Sequence, residues 1–570
     1  MKDFFGKFIH SEKFYLLIVA ALACSVMLPI LFRGLPYGND WVHHYQCAYS
    51  YYEGILAGDF YPSWSAVRNL GYGGMELRLY PPVSHYSLAL FYLVVQDWHI
   101  AVWLTATFFS ILGSFGVYGW AREMMTARNA AFAGGIYALM PYHLNQLYNT
   151  FFFAEYVGSA VLPFSFWFVW RVAKHGKPLD IIGLAASFAL LILTHLPLTV
   201  IGSICLLIYG LSLIERPRFF SQLVKLTAAV LLGLASSSFF WVKVLQERDL
   251  MAKTSIYNDP WIDYRWHFLF TPFQAMTDET QIKIYENATY FYDKLFLCSL
   301  ILVIFCVIPF VIWTRGKQER NLKGVWMIFG LSVFLTAPIS SFLWDKLFFL
   351  QEVQFSWRWL AVIGMAAAIL SGSKFSHLIE WFQTKKRPAA LIIAGSIFAV
   401  IIFSATKVVN NALFIPTDIT EITVKSVQTA KGFAFWWTIW TYKEALNNLE
   451  KVSTENRDVQ IHNWQPKERE FQISPGDGEF ARVAAFYHPN WKATVNESPV
   501  EIRPDENGAI LIPIPQLHSE IKLSFRETLA QQIGQWISGF AFFLFGFLAL
   551  FAIIRSIFGR AANVAQQNQN

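Results

Sequence analysis

Apolar residues follow two rhythms in this chain. Up to about residue 405, and again at 532–555, they run on for the length of a membrane-spanning helix; between about 459 and 525 they alternate with polar ones. Runs long enough to cross, or nearly cross, a ~30 Å hydrocarbon core fall at about 14–33, 101–121, 129–142, 157–173, 179–194, 196–214, 223–244, 294–314, 324–343, 355–373, 388–405 and 532–555. They predict about 12 transmembrane helices. The alternating stretches are 459–461, 470–473, 480–483, 491–495, 509–512 and 521–525, parted by turn signals such as Pro475-Gly476-Asp477-Gly478 and Glu506-Asn507-Gly508. Period two with such turns predicts a small β-sandwich over about 453–527.

Composition agrees with the first rhythm. Of 570 residues, 55% are hydrophobic and only 15% charged, which excludes an ordinary soluble multidomain protein. The net charge of +6 belongs to short loops between the predicted helices, so it marks orientation and gives no sign of nucleic-acid binding. With the N-terminus inside, loops 122–128, 171–177, 215–225, 315–323 and 374–387 carry 16 Lys or Arg, while the short outside loops carry only Lys346. Positive-inside sorting therefore puts both termini in the cytoplasm. It also makes the apolar stretch 84–95 a helix lying in the outer interface, because counting it as a span would put Arg122 and Arg128 outside. The first span has a basic flank and Ala21-Leu22-Ala23-Cys24, but apolar sequence continues past Cys24, so it is expected to be an uncleaved anchor.

The expected organisation is a transmembrane body over 1–405 whose external loop, 34–100, carries interfacial helices. A second external segment covers about 245–293. An external domain follows at 406–531, then a C-terminal span at 532–560 and a polar, disordered tail at 561–570. The aromatic run Gly432-Phe433-Ala434-Phe435-Trp436-Trp437 is expected in the membrane interface. Four of the five cysteines lie in apolar spans and Cys47 stands alone in a loop, so cysteine spacing provides neither a disulfide framework nor a metal site.

Polar groups near hydrocarbon are costly, so each needs a reason. Asp40, Glu155, His195, Glu247 with Arg248, and Arg358 all fall at external ends of spans. One polar chamber at the outer face is implied, lined by Asp40 and His43 or His44, by Tyr142, His143 and Glu155, by Thr194-His195-Leu196-Pro197 and by Phe355-Ser356-Trp357-Arg358. Each also has a plainer reading: solvated helix ends for Glu155, Glu247 and Arg248, a capped turn for His195, an interface anchor for Trp357 and Arg358, a helix cap for Asp40. The glycines of Gly71-Tyr72-Gly73-Gly74 lack a following Lys-Ser/Thr and a preceding buried strand, which excludes a nucleotide P-loop.

An acidic residue just after the first span, a long external loop ending in Tyr80-Pro81-Pro82, and a many-spanning body followed by an external domain resemble the glycosyltransferase C superfamily. More narrowly, Gly71-Tyr72-Gly73, Ala154-Glu155, Thr194-His195-Leu196-Pro197, Phe355-Ser356-Trp357-Arg358 and Tyr487-His488-Pro489-Asn490-Trp491-Lys492-Ala493 resemble bacterial membrane proteins labelled 6-pyruvoyl-tetrahydropterin-synthase-related. No soluble pterin-synthase domain or zinc-histidine cluster accompanies that label. The superfamily resemblance implies transfer of a sugar from a polyprenyl-phosphate donor to a cell-envelope glycan or lipid acceptor, at the outer face of a bacterial cytoplasmic membrane. It makes the first-loop acid, Asp40, the general base. A second acid beside it is missing, since Asn39 and Trp41 flank it, and this leaves the need for a divalent metal open.

Within that frame, Arg358 is the expected cation for the leaving phosphate, with Arg265 and Arg248 behind it. His43, His44 or His195 would assist, by hydrogen bonding or by holding a divalent ion. Trp41, Tyr72 and Tyr80 would pack on sugar faces, with Glu155 and Trp357 completing the substrate pocket and membrane lipid around the body. The alternatives are a non-catalytic transporter or a scaffold subunit for lipid-linked saccharides. A transporter predicts ionisable groups near span centres in paired halves, whereas here they gather at one face and no internal repeat is seen.

Overall fold

A computed structural model describes residues 11–252, 263–269, 319–385 and 388–567. The expected span 294–314 and much of segment 245–293 lie outside the described residues. Elsewhere the long apolar runs are helices, as their composition demands, but they are not all straight crossings. Among the described residues six helices are long and apolar enough to cross a membrane, or seven if the bent pair Leu322–Thr336 and Pro338–Lys346 is one span. The 92° bend in that pair sits at Pro338, which a continuous helix does not tolerate. The 223–244 run is likewise two helices, Phe219–Ser236 and Ser238–Glu247. Ser236, Ser237 and Ser238 there turn their hydroxyls back onto carbonyls of the preceding turn, a local competition that bends helices. The expected spans 129–142 and 179–194 shorten to Ala127–Ala138 and Pro178–Ile192. At the other end, Leu529–Gln567 runs through most of the expected disordered tail, where Ala561, Ala562 and Ala565 favour helix.

Small residues let the helices approach. A Cβ on Gly113, in Trp98–Arg122, would lie 2.9 Å from the Ala160 backbone in Phe153–Lys174, the close contact that membrane helices use in place of a hydrophobic driving force.

Two short strands fix where the first loop begins. β1 (Leu35–Pro36) pairs antiparallel with β2 (Phe414–Ile415), at the far end of the Pro388–Asn411 helix. Gly34 has φ +108, and a Cβ there would strike the Ile415 carbonyl, so only glycine lets β2 pass. The loop is mostly helical. Trp41–Leu56 packs against Val83–Val95, a 13-residue helix shorter than a span, and both lie on the body.

The six alternating stretches fall on strands. β3 (Val452–Thr454), β6 (Phe480–Phe486), β10 (Ala509–Pro513) and β9 (Arg503–Pro504) form one sheet in that order. β4 (Val459–Trp464), β5 (Glu468–Ile473), β11 (Ser519–Phe525), β7 (Trp491–Val495) and β8 (Ser498–Val500) form the other. Ile521 faces Phe471 on one neighbour and Val495 on the other, so one face of β11 enters a core shared with Val483 and Ile510 of the first sheet. Trp64, Tyr72, Met75 and Leu79 of the first loop join that core. The loop thus connects the sandwich to the helical body.

Candidate active site

Asp40 ends a turn held from both sides. Its N–H donates to the Thr150 carbonyl at 3.3 Å, and a Cβ on Gly38 would collide with the Thr150 backbone. Asp40 occupies the N-cap position of Trp41–Leu56, yet its side chain makes no capping bond, which removes the helix-cap reading. Among the described residues the half-buried carboxylate has no hydrogen-bond or ion-pair partner. Burial pushes its pKa up to about 7, Arg358 pulls against that, and Glu155 adds to it.

Arg358 and Glu155 form the opposite wall. The Arg358 Nε lies 3.0 Å from Glu155 Oε2, both side chains being buried. Tyr142 donates its hydroxyl to Glu155 Oε1, and His195 Nε2 stands 3.9 Å from Oε2. Nη1 of Arg358 donates to the Val353 carbonyl at 2.7 Å and to Gln354 Oε1 at 3.1 Å. Its Nη2 has no partner among the described residues. The rings of Phe152, Phe355 and Trp357 lie nearly parallel, 2–7° apart, and the guanidinium sits over Phe355 at 4.5 Å. Stacking and three hydrogen bonds thereby hold Arg358 rigid with one N–H pair unspent.

The third side is aromatic. Tyr80, near enough to Asp40 for the carboxylate to oppose its ionisation, packs on His43 at 5.0 Å and on Trp436 at 5.5 Å. Trp436 also stacks on His43 at 13°. The run 432–437 therefore packs on the first loop, with Phe433 left exposed. Asn69 explains this: its Oδ1 accepts from the Gly432 N–H at 2.8 Å and from Trp437 Nε1 at 3.0 Å.

The geometry brings together Asp40, Tyr80, Glu155, His195, Trp357 and Arg358. His195 is also a helix cap, its Nδ1 accepting from the Leu198 N–H at 3.3 Å. His143 turns away, to the Ala138 carbonyl. Burial keeps His43 and His44 neutral. His44 has both nitrogens engaged, Nε2 by the Phe153 N–H at 3.3 Å and Nδ1 by His85 Nε2 at 2.7 Å, which suits a structural tie better than a catalytic acid or base. Trp41 is buried against Tyr37 and Tyr45.

Tyr72 lies elsewhere, bonded to the Asn448 carbonyl and to Arg482 in the sandwich interface. Arg265 is exposed and paired with Asp263 and Asp345, and Arg248 is exposed. Glu247 belongs to a second cluster. Arg78 clasps it with two bonds of 2.6 Å and grips Glu527 at 2.7 Å, with Lys243 3.0 Å from Glu527. Residue reasoning missed Arg78 and, beside it, the fully buried pair Arg68–Glu76. The available signal was three charges within eleven residues of a glycine- and aromatic-rich loop. Cys47 is in the Trp41–Leu56 helix, not a loop, and contacts His43 one turn earlier.

The family described as 6-pyruvoyl-tetrahydropterin synthase related domain, membrane protein, matches residues 77–411, more than half of the chain. No curated protein matches. Among solved structures, the arabinofuranosyltransferase AftD from Mycobacteria is 15% identical over 70% of this chain and 28% of its own, with a TM-score of 0.45. The oligosaccharyltransferase of Archaeoglobus fulgidus is 13% identical over 74% and 60%, with a TM-score of 0.44. ArnT from Cupriavidus metallidurans, bound to undecaprenyl phosphate, is 14% identical over 73% and 74%, with a TM-score of 0.33. The chain spans less than two thirds of the first two.

Proposed function

We propose that this chain, which belongs to the membrane-protein family described as 6-pyruvoyl-tetrahydropterin synthase related, is a glycosyltransferase that moves a sugar from a polyprenyl-phosphate donor to a cell-envelope glycan or lipid. The observation that carries this reading is a carboxylate with no partner among the described residues, Asp40, titrating at about 7 near an immobilised arginine whose Nη2 has none there either. A base poised near the working pH is what general-base catalysis needs, and a rigid guanidinium suits a departing phosphate.

In the reaction, Asp40 takes the proton of an acceptor hydroxyl as its oxygen attacks the anomeric carbon. The bond from that carbon to the phosphate oxygen breaks, and the polyprenyl phosphate leaves with the electron pair, received by Arg358. Attack opposite the leaving group inverts the anomeric centre. Glu155 and Tyr142 aim the arginine, Trp357 and Tyr80 offer ring faces to sugars, and the external domain at 406–531 orients the acceptor. The site opens at the outer face of a bacterial cytoplasmic membrane, with both termini in the cytoplasm.

Detergent-purified chain, incubated with a panel of polyprenyl-phosphate sugars with and without chelator, tests the proposal. Release of sugar or its transfer by wild type, lost in Asp40→Asn, is the expected result. Binding of donor without turnover in either protein points instead to a carrier or scaffold for lipid-linked saccharides.

A further inference from the structure

Behind Asp40 the first loop buries three groups that bind metals in proteins. His43 and Cys47 stand one turn apart on one face of Trp41–Leu56, and His85 faces them from Val83–Val95. Exposure is 3% for His43, 0% for Cys47 and 1% for His85. Their ligand atoms lie within 4.8 Å of one another. His43 Nε2 and Cys47 Sγ are 3.7 Å apart, too far for a strong hydrogen bond. In a tetrahedral zinc site, bonds of ~2.0–2.1 Å to nitrogen and ~2.3 Å to sulfur put those two atoms roughly 3.6 Å apart. Two of the three ligands already have that spacing, and His85 completes it by a movement on the order of 1 Å.

Burial pushes the Cys47 thiol up to about 12, so a cation has to displace its proton on binding. Arg68 Nη1 lies 3.5 Å from the Cys47 sulfur, a donor that favours the deprotonated ligand, and Glu76 at 3.3 Å balances the arginine charge. The competing partner is His44, whose Nδ1 lies 2.7 Å from His85 Nε2.

The geometry points to a binding site for a thiophilic divalent cation of the zinc type, formed by His43, Cys47 and His85. A cation there ties the helix that begins at Asp40 to the helix that follows Tyr80, so it supports the frame of the chamber without touching the reacting atoms. Spacing along the chain conceals it because the third ligand comes from another helix.

Cobalt(II) alone, titrated into full-length detergent-purified chain after chelator treatment, tests this. One equivalent is expected to bind with a thiolate-to-cobalt charge-transfer absorption, displaced by zinc, and to raise the melting temperature. The absorption is expected to vanish in Cys47→Ser and to survive in Cys24→Ser. Folded wild type that shows no such absorption overturns the site, as does an absorption that persists in Cys47→Ser. The wild-type titration decides the question even if the variant does not fold, and neither readout depends on glycosyl transfer.

Discussion

Arg78 and Arg358 are both buried guanidiniums bound to a glutamate, and they differ in what is left over. Arg78 spends its donors on Glu247, Glu527 and the Ser63 carbonyl, and Lys243 supplies the charge that brings the group to balance. Burial alone would raise both carboxyls, but His488 and Arg78 bring Glu247, and Arg78 and Lys243 bring Glu527, down to about 2. Around Arg358 the accounts stay open: among the described residues Nη2 has no partner, and the nearby Asp40 carboxylate, at about 7, makes no hydrogen bond. A closed cluster joins parts; its members come from the first loop, the Ser238–Glu247 helix and the junction of the sandwich with the last helix. An open one is reserved for something that arrives.

Breaking each cluster should therefore give opposite signatures. The largest effect expected is in Asp40→Asn, where turnover falls by roughly 10²–10⁴. Asp40 ionises less readily in the folded chain than in the unfolded one, so its charge opposes folding as pH rises toward 7. The melting temperature of Asp40→Asn at neutral pH is then unchanged or higher. Arg78→Met should do the reverse and destabilise the fold by roughly 3–5 kcal/mol, because two buried carboxylates lose their partner; a denaturation series measures it. Arg358→Lys keeps the charge but loses the fork. Loss of a hydrogen bond to a charged group is worth roughly 1.5–3 kcal/mol, about ten- to a hundredfold in transfer rate. The same closed cluster also predicts an acid limb. With folded values of about 2 against an ordinary 4.5, Glu247 and Glu527 stabilise the chain above pH 4.5 and lose that contribution as pH falls through 4.5 toward 2. Acid melts of Arg78→Met should lack this dependence.

The open site was the more legible of the two in the sequence. Asp40, Glu155 and Arg358 interrupt apolar runs at helix ends, and the cost of burying such groups singles them out without knowledge of the fold. The strands were legible too, since β11 buries every second residue. What sequence could not supply was pairing. Arg78 meets Glu247 across 169 positions, and His85 meets Cys47 from a different helix, so neither leaves a spacing to read. The aromatic run hid its partner for a related reason, because Asn69, which fixes where it packs, lies more than 360 positions away. Helix breaks at Ser237 and Pro338 arise from local backbone competition inside sequence that is apolar on average.

The central claim is that Asp40 is the base, and the pH dependence of kcat/KM for transfer from a polyprenyl-phosphate sugar tests it most directly. Wild type is predicted to rise tenfold per pH unit up to about 7 and then level off, while Asp40→Asn stays low and flat through the same range. A wild-type profile that is flat across that range, or the same rise in Asp40→Asn, would contradict the assignment.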